Sequence, residues 1–283
     1  MTRSSGKRVL KILALGLLYA GTGRLGLMLG PVSGFASLVW PPTGIALAAL
    51  LLCCGRSLWP GVALGAFATN IWNGAPLAVA GGIAVGNTLE ACLAAWALER
   101  CVGFTSSIDR VRDALGLIVL AAVLSTMVSA TVGVGSLLLG GLVTPAGLAA
   151  TWQAWWMGDL VGDLVLAPLL LVWATPGALA RPQARQAVEA LAVGPAVALA
   201  ACFIFGTPHH VASAFRRPHL IFPILVWAVL RFGQRGGVTT TFLVSGIAVA
   251  GVLHGVGPFA EGTLSERLLA GSSPSRSSWR PPR

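Results

Sequence analysis

The chain has 283 residues, of which 55% are apolar and 10% charged, where a typical soluble domain carries about 25% charge. That leaves too little charged surface to cover a core in water, which excludes a soluble globule and defines an integral protein crossing the bilayer several times. The formal net charge of +10 lies in short segments between apolar runs, without the aromatic-interleaved basic surface of a nucleic-acid binder, so the partner expected is the lipid bilayer and not nucleic acid.

Arg3, Lys7 and Arg8 precede the first apolar run, which continues past Ala20 to Leu29. It reads as an uncleaved first span rather than a signal peptide. A spanning helix takes about 20 mainly apolar residues. Nine candidates follow in order: Val9–Leu29, Val39–Cys54, Leu58–Trp72, Pro76–Leu98, Ala114–Leu138, Gly147–Ala174, Val188–Phe205, Leu220–Arg231 and Val238–Leu253. The third and eighth are short, as tilted hairpin partners or re-entrant segments are. The predicted fold is all-α, a polytopic transmembrane helical bundle of about 8–10 spans.

The connecting segments fix an orientation. With the N-terminus in the cytoplasm, the inner segments carry Arg3, Lys7, Arg8 and Lys11, then Arg56, then Arg100, Arg110 and Arg112, then Arg181 and Arg185, then Arg231 and Arg235. Outer loops up to residue 260 carry Arg216 and Arg217. This bias follows the positive-inside rule, with the N-terminus on the cytoplasmic side. The membrane domain covers residues 1–260. From Glu261 to Arg283 the sequence turns Ser/Pro/Arg-rich and is expected to be disordered. Nine spans would leave that basic tail outside, so a tenth span is expected to be missing through natural truncation or a frameshift near Leu269.

Pro41-Pro42 after Trp40, and Pro60 after Trp59, predict an interfacial Trp followed by a proline-started helix. Gly61-x-x-x-Gly65, Gly82-x-x-x-Gly86 and Gly158-x-x-x-Gly162 offer small-residue faces for helix packing; in a chain with 36 glycines they are no evidence for dimerisation, and a homodimer stays open. The five cysteines (Cys53, Cys54, Cys92, Cys101 and Cys202) show neither C-x-x-C nor metal spacing. Four of them lie in or beside apolar runs as small hydrophobes.

Ionisable groups at bilayer depth cost several kcal/mol and are functional candidates by default. Arg24 lies in the first span, Glu90 in the fourth, Asp159 and Asp163 in the sixth. Asn87 shares a helical face with Glu90, and the two aspartates share another. At ~1.5 Å per residue, Glu90 lies about 21 Å in from Pro76 and Asp159 about 18 Å in from Gly147, so the two meet near mid-membrane. Three acids against one arginine require either protonated carboxyls or a cation or polar ligand to complete the site. Trp152, Trp156, Asp159 and Asp163 fall on one helical stripe; it reads either as a cation-binding aromatic site or as an interfacial Trp belt with acids capped by neighbouring helices. His209, His210, His219 and His254 fall in outward segments with no carboxylate or cysteine at ligand spacing, and no metal or cofactor is expected. No phosphate loop, nucleophile elbow or histidine-zinc helix motif occurs, so no catalytic residue is assigned.

Ala36-Ser37-Leu38-Val39-Trp40-Pro41-Pro42-Thr43-Gly44, then Leu58-Trp59-Pro60-Gly61 through Phe67 and Asn70, resemble the first type of bacterial membrane-associated sensor domain, the MASE family. Asn87 with Glu90, the Trp152–Asp163 stretch with Ala167-Pro168, Phe222-Pro223 through Trp227, Arg231-Phe232-Gly233 and Arg235-Gly236 are similar to it as well. The resemblance runs from about Val9 to Phe259. It implies a multi-helix sensory input domain of the bacterial inner membrane, usually fused to a cytoplasmic output module that is typically a histidine kinase, a diguanylate cyclase or a phosphodiesterase, often joined through a PAS domain. It gives Trp40, Pro41, Pro42, Gly44, Pro60, Gly61 and Asn70 as structural motif positions. The family's pattern closes with a further helix into the cytoplasm, whereas here Leu268-Leu269 runs into Ala270-Gly271-Ser272-Ser273-Pro274. A sensor without its own catalytic module, acting through a separate cytoplasmic signalling partner, is therefore expected. A proton-coupled transporter or channel is the alternative, although no inverted repeat of hydropathy is evident between the halves.

Overall fold

The computed structural model describes residues 2–28, 31–32, 34–37, 39–53, 55–175, 184–206, 217–254 and 256–258. The tail beyond Glu261, His209, His210, Cys54 and the basic residues Arg181 and Arg216 lie outside the described residues. Among the described residues, six helical stretches are long and apolar enough to cross a membrane: Gly6–Met28, Leu77–Val102, Val111–Leu139, Pro145–Ala174, Val188–Phe205 and Pro218–Leu253. All-α architecture holds, but the nine segments read from hydropathy reduce to these six by length.

The difference lies in three places. Helices α2 (Pro41–Leu52) and α3 (Trp59–Trp72) have only 12 and 14 residues, about 18 and 21 Å of rise against a hydrocarbon core of about 30 Å. The last two segments lie in one element, α10 (Phe222–Leu253), which is broken at Gly233 with φ 64° and ψ −157°. The chain reverses there. A Cβ on Gly237 would lie 2.6 Å from Cγ2 of Val229, and one on Gly236 would lie 2.6 Å from the carbonyl oxygen of Ala228. Residues eight apart in a straight helix are about 12 Å apart along its axis. Further from the break, Ile221 and Ile224 share one apolar cluster with Ile247 and Ala248, so α10 is a helical hairpin.

Helix α1 (Thr2–Met28) packs on α3 through small residues: a Cβ on Gly61 would come within 2.7 Å of the Ile12 carbonyl, and one on Gly65 within 2.8 Å of the Gly16 carbonyl. Helix α4 (Leu77–Ala97) packs on α6 (Thr126–Leu139), where Gly82 meets Ser136 and Gly86 meets Val132. These glycine faces serve packing within the chain. Ahead of α6 run α5 (Val111–Gly116) and a nine-residue π-helical stretch, Leu117–Ser125. The α7 (Leu148–Val161) and α8 (Ala167–Ala174) helices are joined by a π turn, Gly162–Leu166. Helix α9 (Ala184–Phe205) packs against α10, which also touches α8.

Between α1 and α2 the chain folds inward. A two-stranded hairpin pairs β1 (Pro31–Val32) with β2 (Ala36–Ser37) in antiparallel register, Pro31 opposite Ser37. Ser37 Oγ donates to the Gly26 carbonyl at 3.0 Å, near the end of α1. Three residues on, Trp40 Nε1 points at the Tyr19 hydroxyl at 3.5 Å, nine residues or about 14 Å back along α1. The Trp40 backbone N–H donates to the Gly158 carbonyl at 3.1 Å. Helix α2 thus begins near the middle of the bundle. The reading of Trp40 as an interfacial residue is corrected: it is buried, because the re-entrant segment carries it down against Gly23 and Gly26, whose missing side chains make room for the indole.

One end of the bundle gathers the basic loops. Arg8 donates to the Ser57 carbonyl, Arg56 faces Glu99 at 3.9 Å, and Gln234 at the α10 reversal donates to the Ile108 carbonyl at 2.8 Å. Large apolar side chains such as Leu17, Leu139, Leu191 and Leu230 are exposed around the outside, the arrangement that lipid, and not water, accommodates.

Candidate functional site

Two apolar clusters fill the bundle core, one around Leu47, Leu50, Leu58, Leu98 and Leu117, the other around Val79, Ile83, Val134, Leu137 and Trp155. Between them lies a band of buried polar side chains: Tyr19 on α1, Thr43 on α2, Asn87 and Glu90 on α4, Ser129 on α6, Asp159 on α7 and Asp163 in the π turn. Asp159 lies 14 residues from the start and 15 from the end of the Pro145–Ala174 stretch, at mid-depth.

Thr43 Oγ1 donates to Asp159 Oδ1 at 2.9 Å. Ser129 Oγ donates to Asn87 Oδ1 at 2.7 Å and accepts from Trp155 Nε1 at 3.1 Å. Tyr19 lies against Trp40 and Asn87, within electrostatic reach of Glu90 and Asp159. The charged groups acting on Glu90 are Asp159 and Asp163, and among the described residues no salt bridge reaches any of the three carboxyls. The three carboxyls therefore face one another across α4, α7 and the π turn, with no basic side chain between them among the described residues.

Bonds close only part of this network. Asn87 Nδ2, Glu90 Oε1, Asp159 Oδ2 and both carboxyl oxygens of Asp163 are buried without a hydrogen-bond partner among the described residues. Buried polar groups are almost always paired, and a cluster of orphans marks a functional position or an absent ligand, ion or water. A cavity of ≈ 10 Å³ adjoins Asp159, walled by Trp40, Trp155 and the hairpin residues Phe35, Ala36 and Ser37; that is room for about one water. Among the described residues no three His, Cys, Asp or Glu side chains converge closely enough to hold a metal ion.

Backbone contact locks α2 to the π turn. A Cβ on Gly44 would collide with the Gly162 carbonyl oxygen, and one on Gly162 with the Trp40 carbonyl oxygen. This close approach is what lets Thr43 reach Asp159. A π turn widens the helix by one residue and frees backbone groups, and such turns recur at functional positions.

Of the sequence-predicted site residues, Asn87, Glu90, Asp159 and Asp163 come together. Trp152 and Trp156 do not join them. Their rings stack on each other at 5.7 Å, and their indole N–H groups donate to Thr131 Oγ1 and the Val123 carbonyl on the α6 side. Trp152 lies seven residues, about 10 Å of rise, before Asp159, and Trp156 lies about 60° round the helix from it. Trp155 is the indole that reaches the polar band. Arg24 does not neutralise the acids: its guanidinium sits 5.8 Å from the Trp72 ring. Asn70 is buried apart, with Nδ2 donating to the Ala66 carbonyl, and Pro60 and Gly61 start α3 against α1.

Sequence reasoning passed over Tyr19, Thr43, Ser129 and Trp155. Tyr19 had a signal, being the one tyrosine of the chain inside an apolar helix, and Thr43 had one in its place within the Trp40–Gly44 motif; Ser129 had none, since hydroxyls in membrane helices usually bond their own backbone. Asp113 was also missed. It is fully buried and takes two bonds of 2.7 Å from Arg110 and one of 2.7 Å from Thr105, fastening the loop at the basic end.

A bundle of apolar helices closed around a mid-depth polar network defines a polytopic membrane protein with an intramembrane site. The MASE1 family model matches residues 9–273, and the chain belongs to this family of membrane sensor domains. No curated protein and no solved structure was found to match it.

Proposed function

We propose that this MASE1 domain receives its signal at the polar band formed by Tyr19, Thr43, Asn87, Glu90, Ser129, Asp159 and Asp163, and that the ligand is a small cationic or hydrogen-bonding molecule. The observation that carries the reading is the set of orphaned polar atoms on Asn87, Glu90, Asp159 and Asp163. Donors or positive charge brought among them would satisfy acceptors that the chain leaves bare. The adjoining cavity admits about one water, so a larger ligand selects a second packing of the bundle. It shifts the equilibrium only by the difference in its affinity for the two packings.

The basic loops gathered at one end support an orientation with the N-terminus inside and the output on the cytoplasmic side of an inner membrane. The output module is a histidine kinase, diguanylate cyclase or phosphodiesterase, carried on the same chain or on a separate partner; the domain itself performs no catalysis. The test is a fusion of residues 1–260 to a diguanylate cyclase, with cyclic-di-GMP measured in cells. Glu90→Gln and Asp159→Asn are expected to lock output high or low. Output indistinguishable from wild type under every stimulus removes the band from the mechanism.

One observation favours a transporter as the second reading. Helix α2 starts at mid-membrane with its amino end at Asp159, as the half-helices of secondary carriers do. Proton or solute flux in proteoliposomes that depends on Asp159 supports the carrier; no flux, with intact signalling, supports the sensor.

A further inference from the structure

At the basic end of the bundle, away from the polar band, a cavity of ≈ 540 Å³ lies between α8, α9 and α10. Its floor is apolar, made by Val193, Gly194 and Val197 of α9 with Ala228 and Leu243 of α10. Its polar wall is Trp173, Arg235, Thr239 and Thr240. Trp173 Nε1 donates to Thr239 Oγ1 at 3.0 Å, which fixes the indole, and the Arg235 guanidinium carbon lies over its ring, 4.8 Å from the centroid.

A guanidinium carbon held over an aromatic ring is a cation–π contact and leaves the N–H groups for hydrogen bonds. Nε and Nη2 of Arg235, the side-on pair of parallel donors, are buried and have no partner among the described residues. The neighbouring cation is already engaged: Arg231 pairs with Glu189 at the rim. A planar fork of donors, desolvated and unpaired, fits a bidentate oxyanion, phosphate above all.

We infer that this cavity binds an anionic phospholipid, its phosphate on Arg235 and the start of an acyl chain along α9. Three features commit it to a lipid. Leu191 and Leu230, next in sequence to the lining residues Ala190 and Arg231, are exposed apolar side chains. The cavity lies at the level of the α10 reversal, which touches the loop ahead of Arg110, where the headgroup region meets the bundle end. Basic pockets between helices at that level are the places where anionic headgroups bind. Occupation there holds the α10 hairpin against α8 and α9 and makes the packing of this corner depend on membrane composition.

The test uses the full chain purified in detergent, exposed to equimolar phosphatidylglycerol and phosphatidylcholine and read by native mass spectrometry. Wild type is expected to retain phosphatidylglycerol over phosphatidylcholine by about five-fold, the ratio for one arginine–headgroup attraction. Arg235→Gln brings the ratio to about one. Val193→Trp, which keeps the arginine and fills the cavity, also abolishes the preference, so charge and space are checked separately. Arg56→Gln, at an exposed position on the same end, leaves the preference intact. Equal retention of both lipids by wild type, or a preference that survives both cavity variants, overturns the assignment. A second arm adds millimolar inorganic phosphate to lipid-free protein. Stabilisation that requires Arg235, combined with no lipid preference, assigns the cavity to a free phosphate compound and overturns the lipid.

Discussion

Gly162 has its α-carbon against the Trp40 carbonyl oxygen, and a single methyl there pushes α2 off the π turn. Gly162→Ala is therefore expected to cost about 1–3 kcal/mol by overpacking, read as a lower melting temperature in detergent. Gly81 lies in α4 with nothing within 4 Å of a Cβ, so Gly81→Ala is expected to be neutral or to stabilise by up to about 1 kcal/mol through the lower entropy of the unfolded chain. The opposite signs separate packing from propensity. Glu90 gives a third test at this scale. It is buried beside two other carboxyls, so Glu90→Gln removes the cost of burying a third acid among them and is expected to raise the melting temperature. A fall of several degrees would mean that an unseen cation pairs with Glu90. These side chains were legible as functional candidates because an acid in an apolar run is visible in one sequence. Their partners were not: Ser129 and Tyr19 come from helices 42 residues after and 68 residues before Asn87, and no local spacing links them.

Among the elements, the α10 reversal is the most exposed to disproof. The Gly237 Cβ position lies 3.7 Å from Val229 Cβ, within the range disulfides adopt. In a variant without the native cysteines, Val229→Cys with Gly237→Cys is expected to cross-link on mild oxidation, seen as a mass loss of two hydrogens. A straight helix keeps the pair about 12 Å apart and unlinked. Gly233 makes the reversal possible, since φ 64° with ψ −157° is a region only glycine adopts readily. Hydropathy had separated this element into two segments, and the fold-back shows why: basic Arg231 and Arg235 bracket the break. Hydropathy misjudged α2 for the opposite reason. Its residues are as apolar as those of a full span because protein encloses them, and composition does not distinguish burial in protein from burial in lipid.

For the whole molecule, the basic loops gathered at one end are the basis of the proposed orientation. Single cysteines in a cysteine-free background test it in intact cells with an impermeant thiol reagent: Asn73→Cys, in the turn between α3 and α4, is expected to label, and Thr105→Cys, in the loop ahead of α5, to stay unlabelled until lysis. The reverse pattern inverts the topology. Charge bias and apolar runs made the membrane class and approximate architecture readable from sequence alone, because both are one-dimensional properties. The re-entrant segment at residues 31–40 was not readable, because its depth is set by contacts with Tyr19, Gly26 and Gly158 that only the assembled bundle supplies.

The short helix α2 has a mechanical consequence. It touches Asp159 at its first turn and ends two residues before the Gly55–Leu58 turn that holds Arg56, so it is a strut about 18 Å long running from the membrane centre to the basic loops. Hydrogen-bonded helices do not compress. A ligand that displaces Thr43 along the axis moves the far end of α2 by nearly the same amount, toward Arg56 and its partner Glu99 just beyond α4, carrying movement from the interior to the rim.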